Sequence, residues 1–93
     1  MSPFTVVLIS RQAEKQIRKL PHNIREALRY WVETVQLIGI RETRKLSGYH
    51  DEPLKGNRLG QRSVRLNHAY RVIYIPSKGD IEITVIEVNK HAY

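Results

Sequence analysis

Glu52, Arg71 and His91 are the residues of this chain that together could carry out a reaction, and they lie along a run that otherwise alternates like three short strands. Cutting RNA without a metal needs a base, a cation and an acid. The base takes the proton of a ribose 2′-OH, the cation holds the charge that builds on the phosphoryl oxygens, and the acid protonates the departing 5′-oxygen. A carboxylate, a guanidinium and an imidazole can fill those roles. Arg71 is permanently charged and can grip a phosphate through two N–H groups. The reference pKa of histidine, about 6.5, lets His91 give or take a proton near neutrality. Either Glu52 or His91 could start the reaction. Around them Lys55, Arg58, Arg62, Arg65 and Arg71 follow one another between positions 55 and 71 without one acid. Arg65 is expected to hold the same or an adjacent phosphate, with Lys55, Arg58 and Arg62 adding contacts or field along the RNA backbone. Tyr93 could stack on a base or donate a hydrogen bond; a pKa of about 10 makes tyrosine a poor base.

These residues need a scaffold, and the hydrophobic pattern supplies one. Phe4 to Ile9 is a short β-branched apolar run, expected to be a buried strand. Ser10 can cap a helix with Ala13, Ile17 and Leu20 on its apolar face. Pro21 separates it from a second helix striped by Ile24, Leu28, Trp31, Val32 and Val35, which Gly39 ends. Residues 40 to 60 read as a long connection with one helical turn near Arg41 to Lys45, a length that is unusual without a function. Strand alternation returns at Gln61 to Leu66, Tyr70 to Ile75 and Ile81 to Val88, with turns at 67–69 and 77–80. The last strand is apolar enough to be central. If Val64 and Leu66 face the core, Ser63 and Arg65 face out. A salt bridge from Arg71 to Glu82 or Glu87 would be the plain structural use of that arginine.

Composition narrows the class. The 93 residues, with 41% hydrophobic, make one folded domain, 1–93, and the net charge of +7 favours a polyanionic or acidic partner. Cysteine is absent, which excludes disulfides and thiolate zinc sites. No run reaches the roughly 18 apolar residues of a membrane span and no signal peptide is apparent, so a cytoplasmic location is expected. His50 and Asp51 are too few for a metal site.

The segments GQRSVRLNHAYRVIY and VNKHAY, with the order of elements, resemble the RelE/ParE superfamily of small bacterial toxins over essentially the whole chain. The run Glu52-Pro53-Leu54-Lys55, followed by Arg65, Arg71 and a terminal His and Tyr, is most similar to the YoeB branch of ribosome-dependent mRNA endoribonucleases. YoeB-like chains end with His directly followed by Tyr, whereas Ala92 separates His91 from Tyr93 here. The resemblance implies an α+β fold: an N-terminal strand and helical hairpin packed on one face of an antiparallel sheet completed by a C-terminal three-strand meander. It also implies the toxin of a type II toxin-antitoxin system that cuts mRNA on the ribosome without a cofactor, neutralised by a cognate antitoxin protein. Glu52, Arg71, His91 and Tyr93 would form the catalytic set. Two other readings share the fold or the charge: a ParE-like inhibitor of DNA gyrase, and a non-catalytic basic module that binds nucleic acid or an antitoxin.

Overall fold

A computed structural model describes residues 4–90 of the chain. Five strands form one sheet in the order β1-β5-β4-β3-β2. They are β1 (Val6–Ile9), β2 (Glu52–Pro53), β3 (Arg62–Arg65), β4 (Tyr70–Pro76) and β5 (Glu82–Lys90). Helices α1 (Arg11–Arg18), α2 (His22–Ile38) and α3 (Ile40–Arg44) fall between β1 and β2. The α+β architecture expected from the sequence is present, with one pairing of different sense. β1 runs parallel to β5 while β5, β4, β3 and β2 are antiparallel neighbours, so the sheet is mixed. Parallel neighbours need a long crossover, and the helices and the remaining strands lie between these two.

Local sequence explains the elements. The Ser10 side chain accepts the Ala13 N–H at 3.1 Å, capping α1. Gly39, at φ 84°, ends α2 and lets α3 start at once in a new direction. The apolar stripes of α1 and α2 cover one face of the sheet: Ala13, Leu28, Trp31 and Val35 pack with Val64, Val72, Tyr74, Ile83, Val85 and Val88. Trp31 and Tyr74 are fully buried, their ring centroids 5.6 Å apart. β1 is an edge strand rather than the buried strand expected. It pairs on one side only among the described residues, and Val6 and Leu8 stay 52% and 45% exposed.

A register shift between Ile73 and Tyr74 leaves Ile86 of β5 without a partner. Strict alternation would put Glu87 on the core face with Val85; the bulge turns Val88 inward instead and sends Glu87 to the open face. Helix α1 holds this bulge, since Gln16 Oε1 accepts the Val88 N–H at 2.8 Å and the Ser10 N–H donates to the Val85 carbonyl at 2.9 Å.

On the core side a polar chain ties the long connection to the sheet. Asp80 accepts from Arg44 Nη1 and Nη2, each at 3.1 Å, and Arg44 Nε donates to the Tyr74 hydroxyl at 3.1 Å. Tyr74 donates to Asp51 Oδ2 at 2.6 Å, and Arg62 Nε donates to Asp51 Oδ1 at 2.7 Å. Burial foremost, and then the Asp51 carboxylate, push the Tyr74 phenol far above its ordinary range, so it remains a donor.

Burial alone would raise the Asp80 carboxyl, but the hydrogen bonds from Arg44 and Arg41 outweigh it and hold the group below the usual carboxylate range. The folded chain therefore takes up that proton less readily than the unfolded chain. The contribution of Asp80 to stability is complete above the unfolded-state pKa, about 3.9, and is lost as pH falls through the lower folded value. Asp80→Asn should lower Tm at pH 7 and flatten its decline below about pH 4, as read by thermal melts from pH 7 to 2. Trp31→Ala should reduce the unfolding free energy by about 3–5 kcal/mol in urea titrations, because the cavity lies at the centre of the only layer joining helices to sheet.

Candidate functional site

The strand register decides what the open face presents. Val64 pairs with Val72 on the core side, and the next pair along is Arg65 with Arg71. The two arginines thus stand directly opposite one another on the face that no helix covers, roughly 4.5–5.5 Å apart at Cβ. Like charges in that position repel. Among the described residues neither makes an ion pair.

The acid that would have neutralised Arg71 is engaged elsewhere. Glu87 accepts from Arg58 Nη2 at 2.6 Å and from Asn89 Nδ2 at 3.1 Å. Arg58, in the loop between β2 and β3, reaches across the open face to do so and also donates to Gln61 at 2.7 Å. Ser63 and Ile73, both buried, lie in the cross-strand row that ends at Glu87.

Glu52 heads the same row, paired with Ser63 at the edge of the sheet. With Ser63, Arg65 and Arg71 it lines a small cleft of about 60 Å³. His50, Asn67, His68 and Tyr70 complete the rim. Asn67 shapes the turn below the arginines, its Oδ1 accepting the Ala69 and Tyr70 N–H groups at 2.8 and 2.7 Å. His50 has a left-handed backbone, φ 46° and ψ 46°, that swings the chain into β2.

Of the residues singled out in the sequence, Glu52, Arg65 and Arg71 are brought together here. Arg58 and Arg62 are not: Arg58 holds Glu87, and Arg62 shares the core face with Val64, where it holds Asp51. Lys55 is exposed on the loop just after β2 and is not part of the cleft wall. His91 and Tyr93 lie outside the described residues; β5 runs to Lys90, which pairs with Tyr70 on the rim. Sequence reasoning passed over His50, which shares the strand parity of Glu52, and His68, three residues before Arg71. No group of three or more metal-ligating side chains occurs among the described residues, and no helix there is long and apolar enough to cross a membrane.

Solved structures share this architecture along nearly their whole length. A YoeB/ParE toxin from Agrobacterium tumefaciens superposes with a TM-score of 0.73 at 18% identity, covering 95% of this chain and 100% of the other. YafQ from E. coli gives 0.72 at 20% identity, covering 94% and 93%. RelE in the archaeal RelE-RelB complex from Pyrococcus horikoshii gives 0.71 at 21%, covering 92% and 93%. This is the RelE/ParE toxin fold. No family sequence model and no curated protein sequence matches the chain. The likeness is one of fold.

Because Arg65 and Arg71 repel across the strands, relieving that repulsion should stabilise the empty protein. Arg65→Gln is expected to raise stability by a few tenths to about 1 kcal/mol. Millimolar inorganic phosphate is expected to raise the Tm of the wild type and to leave that of Arg65→Gln unchanged; differential scanning calorimetry with and without phosphate measures both effects.

Proposed function

We propose that the chain is the toxin of a type II toxin-antitoxin pair and acts as an mRNA endoribonuclease on the ribosome. The observation that carries this is the arginine couple Arg65 and Arg71, without an ion pair among the described residues, facing Glu52 across one small open cleft. Two adjacent guanidiniums match a phosphodiester, whose two non-bridging oxygens they can share. A carboxylate at the edge of the same cleft matches the need to deprotonate a 2′-OH.

In this reading Glu52 takes the proton from the ribose 2′-OH, and O2′ forms a bond to phosphorus. Arg71, with Arg65, stabilises the charge on the phosphoryl oxygens as the P–O5′ bond breaks. His91, one residue beyond Lys90, supplies the proton to O5′, and Tyr93 contacts a neighbouring base. The products are a 5′-OH and a 2′,3′-cyclic phosphate. Lys55 guides the RNA electrostatically from outside the cleft wall. No metal or cofactor takes part.

The same charge calls for a protein that masks it. Neighbours of this fold are solved as complexes with their antitoxins, among them RelE with RelB from Pyrococcus horikoshii and YoeB with YefM from Staphylococcus aureus. A cognate antitoxin with an acidic flexible segment would cover the arginine couple and exclude RNA.

Primer extension on a reporter mRNA in a purified translation system, with and without ribosomes, tests the proposal. Cuts inside codons should require ribosomes and fall by about 100-fold or more in Arg71→Ala, the scale expected for removing one charge-stabilising group. Loss in Glu52→Ala and His91→Ala would support their roles as base and acid. Intact mRNA together with blocked DNA supercoiling would replace this reading by gyrase inhibition. Growth arrest unchanged in all three variants would leave a non-catalytic binding module.

A further inference from the structure

Asp51 is adjacent to Glu52 in the sequence and lies on the other side of the sheet edge. Its side chain is 0% exposed, with one carboxylate oxygen on Arg62 Nε at 2.7 Å and the other on the Tyr74 hydroxyl at 2.6 Å. Arg62 and Tyr74 are themselves cross-strand partners on the core face. Glu52, one residue on, pairs with Ser63 and opens onto the cleft.

Little else holds this segment. β2 has two residues, both exposed, and two ladder pairs with β3; its continuation is one backbone bond, Leu54 N–H to the Gln61 carbonyl at 2.9 Å. It enters through His50, a non-glycine residue in the left-handed region, a conformation that persists where neighbouring contacts enforce it. Among the described residues, Asp51 is the one member of the 50–53 segment whose side chain makes hydrogen bonds.

We infer that Asp51 is the positioning residue of the cleft: clamped between Arg62 and Tyr74 on the core face, it fixes the 50–54 segment so that Glu52 stands on the arginine side. This rests on the endoribonuclease reading for its catalytic consequence and on geometry alone for its structural one. The clamp reaches further, because Tyr74 is also held by Arg44 and Arg44 by Asp80. Asp51 touches no substrate. A misplacement of about 1 Å in a reacting group can cost 100-fold in rate, so a shift of Glu52 should appear in the chemical step while the arginine couple still binds RNA.

The test compares wild type, Asp51→Asn and Tyr74→Phe in two measurements. Asn offers an N–H where one donor of the clamp needs an acceptor; Phe removes the hydroxyl that donates to Asp51 and accepts from Arg44 Nε, and keeps the ring in the core. In single-turnover cleavage of ribosome-bound mRNA, kcat should fall at least 10-fold in Asp51→Asn and less in Tyr74→Phe, with KM within about twofold of wild type. In amide hydrogen exchange, protection of the Leu54 N–H should drop at least 10-fold in Asp51→Asn while that of Val72 on β4 is kept. Cleavage and Leu54 protection both unchanged would overturn the inference, as would loss of protection at Leu54 and Val72 together, which marks a general stability defect. If Asp51→Asn fails to fold, Tyr74→Phe decides by the same two readouts. A wild type that cuts nothing overturns the endoribonuclease reading instead, and the exchange data still decide whether Asp51 fixes the segment.

Discussion

The pairing of β3 with β4 is the constraint on which the rest of the molecule depends. One register sets Val64 against Val72 under the helices and, one step along, Arg65 against Arg71 on the open face. Side chains alternate with a period of two, so a slip of either strand by one residue would drive its guanidinium into the core and its valine into water. Core and cleft are therefore specified by the same hydrogen bonds. The burial of Val64 and Val72 holds in place a pair of like charges that would not choose to be neighbours.

The distribution of acids makes that pair effective. Asp51, Asp80 and Glu87 are each committed to arginines within the fold: Arg62, Arg44 with Arg41, and Arg58 respectively. These contacts pin the connection between α2 and β3 to β3, to β5 and to the β4–β5 turn, which is how a stretch with little regular structure becomes part of a small domain. They also remove negative charge from the cleft. The excess of cations in the chain thereby becomes a local field where Arg65 and Arg71 stand, instead of being diluted over the whole surface. One buried group is left without a counterpart among the described residues: Trp31 Nε1–H has no acceptor, and the size of the indole in the core offsets that omission.

Much of this was legible in the sequence, for identifiable reasons. The Ser10 cap, the stripe from Ile24 to Val35, the break at Gly39 and the three C-terminal strands all follow from local rules and emerged where expected. Alternation alone put Arg65 outside. What stayed hidden depends on contacts between distant segments. The bulge at Ile86 reverses the parity of β5, and nothing in IEITVIEV announces it, since the groups that hold it come from Ser10 and Gln16. Asp51 and Glu52 are indistinguishable as two acids in a polar loop; a two-residue strand is too short to declare which faces in. Arg58 and Arg62 look equivalent to Arg65 in a run of basic residues and are separated only by the acids that reach them. β1 looks buried by composition because an edge strand and a central one can carry the same apolar residues.

The place of β5 has a consequence for how the chain comes into being. It lies between β1 and β4 and is the last of the five strands to be synthesised. Without it the sheet would fall into two separate pieces, β1 and the β2-β3-β4 hairpins, with no backbone ladder to join them. The bulge that α1 holds and the acid that Arg58 needs are both on that missing strand. The cleft itself is lined from β2, β3, β4 and the turns beside them, so the facing of Arg65 and Arg71 is set by β3 and β4, while β5 joins the two pieces and through Glu87 draws Arg58 over the sheet.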